Sequence, residues 1–129
     1  MEFLAERRER MSVVYCPRTQ AYFDHDPYPL PAMLQRGVHV AVGTDSRASN
    51  PDLSIWKELQ FIRQQFPAVN PETILQMGTL SGAEALGIAD RFGSLTPGKA
   101  AQLIRLDLPG NCNEPYEALF GALSSPKWV

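Results

Sequence analysis

The apolar run Val38-His39-Val40-Ala41-Val42 leads directly into Gly43-Thr44-Asp45-Ser46, and this junction constrains the chain more than any other stretch. The run is typical of a buried strand, so the junction places a carboxylate where a strand ends. In barrels of parallel strands, the chemistry is done at that end. Asp45 is therefore predicted to be a metal ligand or a general base. A catalytic metal site ordinarily takes three protein ligands, whereas this chain has two histidines, His25 and His39.

Capping and turn signals divide the rest of the chain into alternating strands and helices. A second β-branched run, residues 12–15, predicts another strand, and Asn50-Pro51 opens the clearest helix, which ends at Pro67. Strands that alternate with helices predict an α/β fold with a parallel sheet. Ser81 and Glu84 have the spacing of a capping box. The other predicted elements are a helix over residues 2–10, a loop over 18–28, helices over 29–36, 70–77 and 114–123, and a strand over 102–108.

Composition narrows the classes of partner. A formal net charge of −2 gives no electrostatic reason to expect a nucleic acid or an anionic membrane surface. No apolar run approaches the roughly 18 residues of a membrane span. The start of the chain is too charged for a signal peptide. Cys16 and Cys112 lack metal-type spacing and are predicted to be reduced thiols in a cytoplasmic protein.

Four segments, taken in order, carry a family resemblance. They are Val14-Tyr15-Cys16-Pro17-Arg18-Thr19, the stretch 37–50, the stretch 79–87 (TLSGAEALG) and the stretch 93–100 (GSLTPGKA). Together they resemble the C-terminal part of metal-dependent amidohydrolases, in the branch of cytosine deaminase, guanine deaminase and the triazine chlorohydrolases. The four segments look like the seventh barrel strand, the eighth strand with its loop, a helical signature and the return into a small sandwich domain. The resemblance covers residues 11–108.

The resemblance implies a specific architecture. The fold expected is α/β, the C-terminal portion of a (β/α)8 TIM barrel followed by a strand of a small β-sandwich. Residues 1–90 would be the partial barrel, and residues 91–129 the remnant of the sandwich domain with a C-terminal tail. A whole barrel takes about 250 residues, so the chain corresponds to about half of one. The family's His-x-His on the first strand, its histidines on strands five and six and its catalytic Glu have no counterpart here.

The resemblance also assigns roles to four residues. Asp45 matches the family's aspartate that binds the metal and exchanges a proton with the hydrolytic water. Arg18, Thr19 and Ser46 lie on the loops that follow the two strands and are the predicted substrate-binding residues. The cofactor expected in a complete fold is a divalent metal, zinc or iron, and none is expected on this chain alone. The substrate expected is a small heterocyclic amine.

Four residues, Asp45, Arg18, His25 and His39, have interpretations that require no active site. Asp45 can be a turn-forming residue that caps the segment after a strand. Arg18 fits a salt bridge as well as it fits a substrate contact. His25, in an Asp-rich stretch, is predicted to be an exposed loop residue. His39 lies about 20 Å from Asp45 along an extended strand, so the two cannot share a metal, and His39 is predicted to be a packed or buried polar residue.

Two functions of different classes follow. The first is a hydrolase of non-peptide carbon–nitrogen bonds, of the deaminase type, active as part of a complete barrel. The second is a catalytically inactive, truncated fragment that associates with itself, because parallel strands with open edges and uncovered apolar faces require a partner. The expected partner is accordingly a second copy of the chain or a missing N-terminal half.

We predict that the purified chain alone holds no stoichiometric zinc, because its imidazole ligands are too few for a complete site. Elemental analysis of the purified chain after dialysis checks this. About one tightly held Zn²⁺ or Fe²⁺ per chain, lost in Asp45→Ala, would contradict the prediction.

Overall fold

Two short parallel strands form the centre of the fold. Strand β1 (Val13–Tyr15) pairs with strand β2 (Val40–Val42), so that Val13 lies opposite Val40 and Tyr15 opposite Val42. The computed structural model describes residues 1–108, 113–122 and 124–129. Because the strands are parallel, the chain crosses from the end of β1 to the start of β2 through helices. Both strands therefore end at the same edge of the sheet, where Cys16 and Gly43 follow.

Helices surround this pair of strands. The helices of the described residues are α1 (Glu2–Ala5), α2 (Pro17–Tyr22), α3 (Leu30–Gln35), α4 (Ile55–Gln65), α5 (Pro71–Met77), α6 (Leu80–Ala85) and α7 (Pro115–Gly121). The crossover contains α2 and α3, and four of these helices follow β2. Of these four, α4 and α5 pack on the sheet and on each other.

One hydrophobic cluster joins the sheet to the helices. Tyr15, Val40 and Val42 point from the strands into the same cluster as the apolar stripe of α4. Full burial of a large apolar side chain contributes roughly 1.5–3 kcal/mol, so this cluster fixes α4 and α5 against β2. The helix residues buried in it are Trp56, Leu59, Ile62, Ile74 and Met77.

The opposite face of the sheet is covered unevenly. Val14 and Ala41 lie on this face, and Val14 is 58% exposed. Ala41 is only 2% exposed, and helix α6 packs against its strand, β2. The uncovered apolar faces predicted for the parallel strands are therefore seen at Val14, but the prediction is wrong for Ala41.

Several predicted helix boundaries were wrong as well. Residues 18–28 were predicted to be a loop, but α2 occupies their first part because Pro17 takes its first position. The predicted helix over residues 2–10 ends at Ala5, since few apolar residues anchor it and Phe3 is exposed.

The Asn50 cap was also wrong. The carbonyl of the Asn50 side chain accepts from the Leu53 backbone, and Leu53 has a φ of +53°, which interrupts a helix. Ser54 caps α4 instead, because its hydroxyl accepts from the Lys57 backbone N–H. The Asn70 cap of α5 is confirmed, since its side chain accepts from the Glu72 backbone.

The predicted capping box fails for a related reason. Thr79 stands at the N-cap of α6, so Ser81 lies inside the helix rather than before it. Glu84 turns away from the helix start and pairs with His39. The hydroxyl of Thr79 bonds to the Leu75 carbonyl of the preceding helix and caps nothing in α6.

The C-terminal part holds a second, small sheet. Strand β3 (Ile104–Arg105) pairs antiparallel with β4 (Lys127–Trp128). Strand β3 is shorter than the strand predicted over residues 102–108. The predicted helix over residues 114–123 is α7, although residue 123 lies outside the described residues. Within the described ranges, no helix has the length and apolar character to cross a bilayer.

We predict that the Tyr15 hydroxyl loses its proton at a higher pH than an ordinary tyrosine does. Burial, with the charges of Tyr28 and Glu58, raises the pKa of Tyr15 from 10.0 to about 12. The folded state then holds its proton more tightly than the unfolded state. This contribution to stability is complete below pH 10 and is lost as the pH rises towards about 12. Denaturant unfolding across this range should therefore show a shallower alkaline loss in Tyr15→Phe than in the wild type.

Tyr22→Phe is the matched control, because Tyr22 is 65% exposed. An alkaline slope in Tyr15→Phe equal to that of the wild type would contradict the assignment.

Candidate functional site

The candidate site lies at the shared carboxyl edge of β1 and β2. Gly43 leaves room for two neighbouring side chains, since a Cβ there would come within 2.6 Å of Val14 Cγ1 and 3.2 Å of Cys16 Sγ. Any residue with a Cβ would therefore force the side chains of Val14 and Cys16 to shift. The backbone N–H of Gly43 donates to the Tyr15 carbonyl at 2.9 Å and closes the ladder immediately before the site.

Asp45 follows with an unusual backbone. Its φ is +56°, in the left-handed region that Asp and Asn tolerate better than other residues with a Cβ. The side chain is exposed, and its Oδ2 accepts a hydrogen bond from Ser49 Oγ at 3.1 Å. Among the described residues, Oδ1 accepts no hydrogen bond from the protein. One carboxylate oxygen is thus held by Ser49, and the other has no hydrogen-bond donor among the described residues.

Two of the predicted substrate residues sit beside Asp45. Ser46 is exposed on the same turn, where its hydroxyl accepts weakly from the Ala48 backbone at 3.4 Å. The hydroxyl of Thr19, on α2, lies 3.3 Å from the Thr44 carbonyl and 3.1 Å from Ser49 Oγ. The structure therefore brings Thr19, Asp45 and Ser46 together, with Thr19 already engaged by protein groups.

Arg18 points away from this opening into a polar cluster. Its Nε donates to Glu58 at 2.5 Å, and its Nη2 donates to Asn50 at 2.8 Å and to Asp52 at 2.5 Å. The Glu58 side chain is fully buried, and its Oε1 also accepts from the Asn50 amide. The salt-bridge alternative for Arg18 is thus what the structure shows. We call Arg18, Asn50, Asp52 and Glu58 the buried ion cluster.

Hydrogen bonds within this cluster shift the pKa values of its charged side chains. The carboxylate of Asp52 raises the pKa of the Arg18 guanidinium, and Glu58 adds to the effect. In return, the hydrogen bond from Arg18 holds the pKa of Asp52 well below its usual range, with a further contribution from Lys57. Burial raises the pKa of the Cys16 thiol, which favours the protonated, unreactive form. Cys112 lies outside the described residues.

Both histidines lie elsewhere. His25 is exposed on the loop after α2, as predicted. His39 Nδ1 lies 2.7 Å from Ser12 Oγ, and its Nε2 lies 2.9 Å from Glu84, at the opposite edge of the sheet from Asp45. The interpretation of His39 as a packed polar residue is confirmed. In the described part of the chain, no three His, Cys, Asp or Glu side chains cluster to hold a metal ion.

Two residues of the site, Ser49 and Glu58, were not predicted from the sequence. Ser49 stands four residues after Asp45, a spacing at which a side chain can reach back across a tight turn. Glu58 stands between Trp56 and Leu59 on the apolar face of α4. A lone carboxylate on a buried helix face signals a buried cationic partner, because an unpaired charge there is costly.

The chain is similar in sequence to known proteins. The family model described as "Amidohydrolase family" matches residues 1–129. A 5-methylthioadenosine/S-adenosylhomocysteine deaminase of Teredinibacter turnerae is 37% identical over 103 residues, which are 74% of this chain and 23% of that protein. An S-triazine hydrolase of Gordonia rubripertincta is 31% identical over 109 residues, 79% of this chain and 23% of that protein. The chain thus spans about a quarter of the length of these relatives.

Solved structures agree with the sequence relatives. An adenosine deaminase from Xanthomonas campestris, described with bound zinc, superposes with a TM-score of 0.79 at 35% identity. The match covers 92% of this chain and 29% of that one. A guanine deaminase of E. coli gives a TM-score of 0.66 at 26% identity, over 78% of this chain and 24% of that one. The two parallel strands and their helices are therefore part of a TIM-barrel-type fold.

We predict that the buried ion cluster is a large contributor to stability. Glu58→Gln should lower the free energy of unfolding by about 3 kcal/mol, because Arg18 loses its fully buried carboxylate partner and keeps only the partly exposed Asp52. Denaturant unfolding followed by circular dichroism measures this loss.

Glu117→Gln provides the matched control. Glu117 also pairs with an arginine, Arg63, but its side chain is 60% exposed. An exposed pair of this kind contributes less than about 1 kcal/mol. Equal losses in the two variants would mean that burial gives the Arg18–Glu58 pair no special weight.

Proposed function

Because the chain belongs to the amidohydrolase family, we propose that it carries the aspartate of a deaminase-type active site. The site would hydrolyse a carbon–nitrogen bond of a small heterocyclic amine within a complete barrel. The observation that carries this proposal is the Asp45 carboxylate, exposed at the carboxyl edge of the sheet with Oδ1 uncommitted. The relatives named as deaminases of 5-methylthioadenosine and S-adenosylhomocysteine support the substrate class.

In the proposed reaction, the oxygen of a water molecule bonds to the ring carbon that carries the amino group. Asp45 takes a proton from that water and passes it to the departing amino nitrogen, and the second proton of the water ends on the adjacent ring nitrogen. The carbon–nitrogen bond then breaks, ammonia leaves, and the ring carbon keeps the oxygen as a carbonyl. Such proton transfer by a positioned side chain contributes typically about 10²–10⁴-fold to the rate.

A divalent metal belongs to this proposal as the family's cofactor, zinc or iron. When bound, such a metal lowers the pKa of water and makes it a nucleophile near neutral pH. Asp45 fits the role of one ligand, since one of its oxygens is free and exposed. The described residues do not form a set of three ligands, so the other ligands would come from outside them.

The remaining site residues take different roles in the proposal. Ser46 is exposed beside Asp45 and remains the candidate for substrate contact. Arg18 and Thr19 contact protein groups at the site edge, so their proposed part is to hold the loop on which Asp45 stands. We keep the cytoplasm as the proposed compartment, on the basis of the unpaired thiol of Cys16.

Self-association without catalysis is the second candidate. The observation that favours it is Val14, which exposes 58% of its surface in the middle of a strand face. A second copy of the chain would cover this face and the open edges of the sheet. Light scattering gives the mass in solution, and a particle of 14.4 kDa would contradict self-association.

We predict that Asp45→Asn abolishes turnover in a chimera of this chain. In the chimera, the chain replaces the matching segment of the Teredinibacter turnerae deaminase, and ammonia release from 5-methylthioadenosine is measured. The rate should fall by on the order of 10²–10⁴-fold, since Asn cannot accept the proton. Asn tolerates the φ of +56°, so the fold should survive.

Asp90→Asn is the control, because it removes the same charge from an exposed residue remote from the site. An Asp45→Asn chimera with the wild-type rate would remove Asp45 from the mechanism. A folded, metal-loaded chimera without any turnover would instead favour the non-catalytic candidate.

A further inference from the structure

Ser49 is more deeply buried than its place in an exposed turn suggests. Its surface is only 5% exposed, although Asp45 to Ala48 are all exposed. Its backbone N–H donates to the Ser46 carbonyl at 3.2 Å, which closes the turn and points the side chain back at Asp45. Its hydroxyl then donates to Asp45 Oδ2 at 3.1 Å. The buried hydroxyl of Ser49 thus donates a hydrogen bond to the exposed carboxylate of Asp45.

Thr19 holds that hydroxyl in turn. A hydroxyl has one proton to donate and two lone pairs to accept with. The Ser49 proton goes to the carboxylate, because hydrogen bonds to ionised groups are the stronger ones. The Thr19 proton is then available to Ser49 Oγ at 3.1 Å or to the Thr44 carbonyl at 3.3 Å. Thr19 therefore lies within hydrogen-bond distance of both Ser49 and the backbone just before Asp45, and its one proton serves one of them or is shared between the two.

The buried ion cluster keeps the hydroxyls of Thr19 and Ser49 within hydrogen-bond distance of each other. Thr19 belongs to α2, whereas Ser49 belongs to the loop after β2, so their contact requires that these two elements stay together. Arg18, next to Thr19, bonds Asn50, next to Ser49, and also bonds Glu58 of α4. The contact between Thr19 and Ser49 thus lies next to the contact between Arg18 and Asn50.

We propose that Ser49 and Thr19 are positioning residues that hold the Asp45 carboxylate in one rotamer, with Oδ2 bonded to Ser49 and Oδ1 left without a donor from the described residues. An exposed aspartate without such a tie samples several staggered rotamers. The tie removes that freedom before any substrate arrives, which is the form of preorganisation that catalytic groups require. Its catalytic meaning rests on the proposed function of Asp45, whereas the rotamer itself does not.

The test reads the rotamer directly in the full chain. Three-bond NMR couplings across the Asp45 side chain report whether one χ1 rotamer is populated. The wild type should show a single rotamer, and Ser49→Ala should show averaging. Thr19→Val removes the second hydroxyl at nearly constant volume and should show partial averaging. Thr19→Ser restores the hydroxyl and should restore the single rotamer.

Ser94→Ala is the control, since the Ser94 hydroxyl lies 3.0 Å from the Thr96 hydroxyl, on a loop distant in sequence from the site. Amide spectra of each variant establish that it is folded, so loss of a rotamer is separated from loss of structure. A single Asp45 rotamer in folded Ser49→Ala would overturn the proposal. So would averaging that Thr19→Ser fails to reverse.

The chimera described above supplies the catalytic arm. Loss of a group that orients a catalytic residue typically costs about 10–100-fold in activity, and Ser49→Ala should show this in kcat with KM little changed. Rotamer averaging together with an unchanged kcat would uphold the tie and contradict the proposed role of Asp45. A fixed rotamer with a reduced kcat would overturn the tie alone.

Discussion

The ion pair between Arg18 and Glu58 is the interaction on which the rest of the site depends. It joins α2, the segment after β1, to α4, the helix after β2. Two segments distant in sequence thus become one wall at the carboxyl edge of the sheet. A charge this deeply buried is stable only when its partners are complete, and Asn50 and Asp52 complete them. The loop that carries Asp45 begins at the strand and is clamped at its far end by this cluster.

The two edges of the central sheet are held by different kinds of contact. At the amino edge, Ser12, His39 and Glu84 form a short polar chain that connects β1, β2 and α6. At the carboxyl edge, the Asp45 carboxylate is exposed and is bonded by Ser49, while Arg18 and Thr19 contact protein groups. Barrel enzymes generally use one edge for stability and the other for chemistry.

The sequence predicted the strand that ends before Asp45 and the long helix α4, because both follow from strong local patterns. It failed where side chains reached across the structure. Asn50 looked like a helix cap, yet its side chain is taken by Arg18 and Glu58. Ser81 and Glu84 had capping-box spacing, yet His39 attracts the glutamate. Such long-range partners compete with local capping, and no window of sequence reveals them.

The left-handed backbone at Asp45 also limits which acids can serve there. At a φ of +56°, a residue with a Cβ is strained by roughly 1–2 kcal/mol unless a short polar side chain bonds locally. Aspartate meets that condition through Ser49. Glutamate carries the same charge, but its longer side chain overshoots the serine. The turn therefore selects for the length of the acid as well as for its charge, so that backbone conformation and chemistry constrain a single position together.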